Sequence, residues 1–479
     1  MPYVYGIRVS KGNKGDGISV TGLSTHVEIA HTEIDSTFSN AILCRAAPQC
    51  DGSTTRETFL MEDIRIHDNF IHDVNGEGVS VGSIFYANGK TVYCSGSATT
   101  ILPHLIDGVR IYQNEIQRAG LEGIQVFSAS HDVEVYQNSI SYYGQRNQGG
   151  ENAGIHVGTG TTGRFYANTV KDGNGTGIEI HGLGNITVDN NQIIRAGENY
   201  FPENQSLEAH GILVDDGSTQ ANNFYHFINN TIISPKTDGI RFASTLSAQN
   251  QIQNNLIVAP GAYEKYNIDS TSTQANDAYV YLTANQDIGL TSNYFTLTNT
   301  NLGFINASED NFALSASSQL IDAGTPLTSH VISTDFVGVQ RETNLSTDIG
   351  AFEFIPTQNS LDCGCDVIIG LDVTQADGNN YTYNPGATIC IVGGQRNALS
   401  LTNWTGSETQ PLSFINCGGA ILISNDDTAF GLHLHNIQYA AFSATPTIGF
   451  PYGLTITQTQ TGGHGVLVDG NSHHIELTD

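Results

Sequence analysis

The sequence predicts an all-β solenoid of short stacked strands, closed by a capping segment and followed by the opening coils of a second solenoid. Three observations predict it. A short motif recurs along the first half of the chain. Within each copy apolar and polar residues alternate with period two, which is a strand signal. The composition, with 52 Gly and only 2 Met, is that of a turn-rich chain with few helices.

The copies read "VEIAHTEIDSTFSNAILCRA" from Val27, "IRIHDNFIHDVNGEGVSVGS" from Ile64 and "VRIYQNEIQRAGLEGIQVFS" from Val109. They continue with "GRFYANTVKDGNGTGIEIHG" from Gly163, "YHFINNTIISPKTDGIRFAS" from Tyr225 and a weaker copy near Asn250. Each has an alternating stretch, an Asn, an apolar residue two later, a variable loop, a Gly and another alternating stretch. Strands this short cannot bury a core alone; stacked on their neighbours they can. Alternation predicts three inward columns: Ile64, Val109, Val133 and Ile186; Ile71 through Ile257; and Val79, Ile124, Ile155, Ile178, Ile212 and Ile240.

Asn69, Asn114, Asn138, Asn168, Asn191, Asn230 and Asn255, with Thr32 in the first copy, carry a resemblance to the right-handed parallel β-helix of the pectate-lyase-like superfamily. The resemblance covers residues 17–260 and implies that these side chains stack inside a turn, each amide bonding the next coil. It specifies fold; no catalytic motif of the superfamily carries over. The domain reading is a β-helix over 1–303, its capping segment over 304–354, a linker over 355–365 and the start of a second β-helix over 366–479. Asp335, Gly338, Arg341, Asp348, Gly350 and Glu353 are the fixed points expected of the cap, with Arg341 pairing Asp348 or Glu353. The last coils echo the first. Tyr452-Gly453-Leu454 matches Tyr5-Gly6-Ile7, and after one inserted residue Gly465, Gly470, His474 and Glu476 match Gly17, Gly22, His26 and Glu28. The expectation is a piece of a longer tandem-module protein, its two helical parts forming separate bodies.

The 47 Asp+Glu against 18 Lys+Arg, a net charge of -29, argue against nucleic acid or an anionic membrane as partner. They also oppose an acidic polysaccharide unless a divalent cation or a local basic cleft mediates. No apolar run is long enough to span a bilayer. The segment "MPYVYGIRV" lacks the basic and apolar parts of a signal peptide. With the resemblance, the reading is an extracellular or bacterial cell-surface monomer whose partner is a polysaccharide or surface glycan. Among the 7 cysteines, Cys44 and Cys50 are spaced for a small loop disulfide, with free thiols the alternative. "CGC" lacks zinc-ligand spacing.

In this architecture a long substrate lies along one outward face, where side chains of successive coils align about 4.8 Å apart. The strand after the recurring Gly supplies the candidates. His156, Glu179, His181 and Arg241 are the expected catalytic residues, and Gln125, Phe127, His210, Asp215 and Asp238 the expected substrate contacts. A lyase acting on uronic acids needs a base and a positive neutraliser, here His156 or His181 with Arg241. Glu179 and Asp215 are the alternative, holding Ca²⁺, the candidate cofactor. A hydrolase needs two carboxylates, Glu179 with Asp215 or Asp238. A second outward column, His67, Tyr112, Tyr136, Tyr166 and Asp189, suits sugar contact or, by preference, packing. Residues 66–78 offer His67, Asp68, His72, Asp73 and Glu77, which alternation scatters over different faces, so no metal site is assigned. The non-catalytic alternative is a structural or adhesive repeat segment of a large surface protein.

Overall fold

The computed structural model describes residues 1–479 except 1–2, 12–13, 202, 205–206, 262–278, 284–286, 328–331, 342–345, 355–363, 372, 426–428, 445–452, 459–462 and 479. The expected linker therefore lies almost wholly outside the described residues. The chain divides into two compact units, Met1–Asn299 and Thr300–Asp479.

In the first unit each coil contributes one strand to each of three parallel sheets. The first sheet has 10 strands from Tyr3–Tyr5 to Ile288–Thr291, and the second has 10 from Arg8–Ser10 to Tyr294–Thr296. The third has 9, from Ile18–Val20 to Val280–Leu282. The predicted inward columns stack in register: Ile64, Val109 and Val133 in the first sheet, Ile71, Ile116, Ile140 and Val170 in the second. In the third, Val79, Ile124, Ile155, Ile178, Ile212 and Ile240 are all fully buried.

The Asn residues tie coil to coil at the turn between the first and second sheets. Asn138 Oδ1 accepts from the Asn114 backbone N–H at 3.1 Å and from Asn114 Nδ2 at 2.9 Å. Asn138 Nδ2 donates to Asn168 Oδ1 at 2.9 Å and to the Ile111 carbonyl of the preceding coil at 2.9 Å. The pattern runs from Thr32 to Asn255 and adds one residue that the sequence reading missed, Asn293, whose Oδ1 accepts from Asn255. The residue before each Asn is left-handed, for example Gln137 at φ 55° and Ala167 at φ 51°, which makes the turn sharp enough to admit the amide.

The recurring Gly is a matter of clearance. A Cβ on Gly154 would stand 2.2 Å from Val170 Cγ1 and 2.7 Å from the Gly177 carbonyl oxygen. Only a bare backbone lets that corner close on the next coil.

Cys44 is buried in the third sheet as a free thiol, the alternative to its pairing with Cys50. An inward-facing strand residue cannot reach a loop cysteine. Cys50 instead bonds Cys94, which ends the first strand of an antiparallel hairpin, Lys90–Cys94 with Ser97–Ile101, inside the 84–106 insertion.

The second unit begins with the pair Phe304–Asn306 and Asn311–Leu314. In the 304–354 segment the buried Arg341 pairs with the Glu353 carboxylate and donates to the Gly350 carbonyl at 2.9 Å. Asp335 accepts from the backbone N–H groups of Val337, Val339 and Glu353. By contacts this segment belongs to the second unit, where Asn397 Nδ2 donates to Glu309 Oε2 at 2.7 Å. From Val367 onward two parallel sheets build further coils around a core that includes the fully buried Trp404, whose Nε1 donates to the Ala376 carbonyl at 3.0 Å.

Asn138→Ala strands several buried groups at once: Asn114 donors, the Ile111 carbonyl and Asn168 Oδ1. The expected cost is about 3 kcal/mol. The exposed Asn75, with a single side-chain bond to the Phe38 carbonyl, serves as comparison, and Asn75→Ala is expected to cost less than about 1 kcal/mol. Urea unfolding of the two variants checks the difference.

Candidate functional site

The outward column of the third sheet reads Ser80, Gln125, His156, Glu179, Leu213, Arg241 and Tyr281, one residue per coil. At the corner before the Gly, Glu77, Glu122, Ala153, Thr176, His210 and Asp238 form a second line, each Gly N–H bonding the carbonyl of the next. Outward did not mean solvated. Ser80, Gln125 and His156 are buried, whereas Glu179, Leu213 and Arg241 are half-buried. Ser80 Oγ donates to Gln125 Oε1 at 2.9 Å. Phe127 lies flat against Gly158, and Tyr86, from the 84–106 insertion, lies flat against Gly160. Neither glycine could carry a Cβ there.

The candidate residues gather into two clusters. In the first, His156 Nδ1 donates to Glu122 Oε1 at 3.1 Å, and its ring stands edge-on to Phe127 and to His181, with centroids 5.0 and 5.2 Å away. His156 Nε2 and Glu122 Oε2 are buried with no hydrogen-bond partner among the described residues. His181 is clamped: Nε2 donates to Glu179 Oε1 at 2.8 Å and Nδ1 to Asp215 Oδ1 at 2.5 Å. In the second cluster His210 Nδ1 stands 2.9 Å from Asp238 Oδ2, and Arg241 donates to Glu208 Oε2 at 2.6 Å while lying over the Tyr281 ring. Leu213 separates Arg241 from Glu179, so Arg241 and His156 are three coils apart.

Burial pulls the His181 imidazole down, but the hydrogen bonds and charges of Asp215 and Glu179 outweigh it and raise it to about 10. The same contacts hold Glu179 and Asp215 below the ordinary carboxylate range despite burial. His181 is therefore a fixed imidazolium at neutral pH and is unsuited to act as a base. Its position between the two carboxylates also means that they do not fit Ca²⁺, which a cation already seated there would repel. Burial, with the charges of Glu122 and Glu151, pushes Glu77 up to about 7.

Glu122 and Glu208 were not among the expected site residues. Glu122 was legible as a member of the corner column; Glu208 lies in a variable loop whose sequence gives no register. The other column packs as a stack: His67 on Tyr112, Tyr112 on Tyr136 and Tyr136 on Tyr166, at 4.5, 5.0 and 4.9 Å and within 10° of parallel. The rings cover one another's faces and show only edges, so no face is left for a sugar ring. Asp189, next in line, is buried and takes both Arg164 Nε and an Arg164 terminal nitrogen at 2.7 Å. Of the 66–78 candidates, His67 bonds Asp68 and Glu28, and His72 bonds Asp73, on strands of different sheets.

An unfolded His181 titrates near 6.5 and the folded one near 10. The stability it contributes is complete below 6.5 and is lost as pH rises through 10. His181→Gln is expected to remove that alkaline loss from the urea midpoint measured against pH. Nitrogen NMR of the wild type is expected to show both His181 ring nitrogens still protonated at about pH 8.

Residues 81–257 match the family described as "Right handed beta helix region". Among solved structures, pectate lyase Pel9A is similar at 15% identity and a TM-score of 0.39, covering 74% of this chain and 85% of that one. A variant of the PL6 family alginate lyase AlyGC is similar at 11% and 0.27, covering 100% and 77%. The catalytic unit of a GH87 alpha-1,3-glucanase from Streptomyces thermodiastaticus is similar at 12% and 0.23, covering 99% and 64%. No curated protein matches the chain. The matched region, the three stacked parallel sheets and the asparagine ladder give the first unit the fold of a right-handed parallel β-helix built of repeats.

Proposed function

We propose that the first unit binds a polysaccharide along the outward face of its third sheet, and that the Glu122–His156 pair is the acid–base centre at which the polymer is cleaved. The observation that carries this reading is the pair itself. Glu122 fixes the tautomer of a nearly buried imidazole and leaves Nε2 without a partner. A base oriented by a carboxylate is the arrangement that proton transfer requires.

The charge of the face informs the polymer. Glu122, Glu179, Asp215, Glu208 and Asp238 stand against His181 and Arg241, and Arg241 is committed to Glu208. His181, the cation nearest His156, is likewise committed, to Glu179 and Asp215. Five carboxylates against two cations disfavour a densely acidic chain, so the reading is a neutral or sparsely charged glycan. The disulfides Cys50–Cys94 and Cys365–Cys390 support an extracellular or surface location.

A second reading, a non-catalytic segment of a surface protein, draws on the module-scale repeat. The matched positions His26 and His474 both have φ 54°, and Gly22 and Gly470 have φ 68° and 66°. Tandem modules suit multivalent attachment.

A panel of neutral and uronate polysaccharides, assayed for binding, for new reducing ends and for unsaturated products, separates these readings. The expected result is cleavage of a neutral polymer that falls at least about 100-fold in His156→Ala while binding persists. Unsaturated products from a uronate polymer point to elimination instead. Binding with no cleavage in the wild type leaves the second reading.

A further inference from the structure

The second unit carries a group of side chains that the reading above does not use. In its four-stranded parallel sheet, Phe430–His435 pairs with His464–Asp469, Leu432 against Val466 and Leu434 against Val468 on the inward side. Alternation then turns His433 and His435 outward on one strand, with Asp469 directly across from His435. Both imidazoles converge on one carboxylate oxygen: His433 Nε2 stands 2.9 Å and His435 Nδ1 2.5 Å from Asp469 Oδ1. The three atoms lie within 4.8 Å of one another. Behind His433, on the neighbouring strand Leu399–Thr402, Ser400 Oγ lies 3.3 Å from His433 Nδ1.

We propose that His433, His435 and Asp469 form a binding site for a divalent transition-metal ion of the Zn²⁺ class. Two imidazoles and one carboxylate are a ligand set that Zn²⁺ and its neighbours favour over Ca²⁺ or Mg²⁺. Two of the ligands are fixed by a rigid strand at i and i+2 and the third by pairing register, so the site needs no loop rearrangement to assemble. With Nε2 of His433 on the metal, its Nδ1–H donates to the Ser400 hydroxyl, the outer-shell partner that sets tautomer and ring orientation. The remaining coordination positions face solvent, since His433 and His435 are half-buried and Asp469 exposed. The ion also bridges two adjacent coils. The strand that carries Asp469 is thinly held, with its inward Val466 and Val468 38% and 46% exposed. The metal would therefore act as a staple on that coil.

The test is calorimetric titration of the full, tag-free chain with ZnCl₂, together with the visible absorption of the Co²⁺-loaded protein. The expected result is one saturable site whose affinity falls at least about tenfold in His433→Gln, His435→Gln and Asp469→Asn, and about tenfold in Ser400→Ala. The Co²⁺ bands should disappear in the first three variants, and excess Ca²⁺ should not compete. In the wild type alone, ZnCl₂ should slow proteolysis at the coil carrying Asp469. Wild-type Zn²⁺ titration that matches the His433→Gln/His435→Gln double variant, or wild-type proteolysis indifferent to ZnCl₂, would overturn the proposal.

Discussion

The asparagine ladder is the interaction on which the first unit depends. Parallel strands stack at about 4.8 Å, and an amide turned inward at a tight corner spans that distance with both its oxygen and its nitrogen engaged. Each Asn accepts from the backbone and side chain of one neighbour and donates to the next, so a buried polar group is fully used in a place where an unsatisfied one would be costly. Because the ladder fixes where every coil turns, it also fixes register. The isoleucine and valine columns, and the bare glycine corner opposite Gly177 and Gly211, follow from that register.

Register has an electrostatic consequence on the outer face. Ionisable side chains from successive coils are forced within a few ångströms of one another, and some of them, such as Glu122 and His156, are also buried. The first unit answers by pairing. His181 joins Glu179 to Asp215, Arg241 takes Glu208, and Arg164 takes the buried Asp189. His156 Nε2 and Glu122 Oε2 keep no hydrogen-bond partner among the described residues, although the two side chains bond one another. The pairing is incomplete in charge, since Glu122, Glu179, Asp215, Glu208 and Asp238 stand against only His181 and Arg241.

Much of the fold was legible because its determinants are local and periodic. Val79, Ile124 and Ile155 sit at the same step of their copies, and Asn69 and Asn114 mark the same corner. Asn293 escaped because it lies beyond the last copy recognised in the sequence, the one near Asn250. The partner of Cys50 escaped because a hairpin inside the 84–106 insertion decides it, and nothing periodic governs an insertion. The outward placement of His156 and Glu179 on the third sheet was read from phase alone. Glu208, which arrives from a loop to meet Arg241, had no phase to be read from.

By itself the sequence determined which way each strand residue points, since alternation leaves no choice once a register is set. Only the tertiary structure decided how deep the outward residues lie and what they face. His156 and Gln125 are outward yet buried, His181 is held protonated by two carboxylates from its own and a neighbouring coil, and the aromatic column spends its faces on itself. These outcomes depend on side chains far apart in the chain that stacking brings together. Direction is a property of one strand, whereas burial and protonation are properties of everything packed around it.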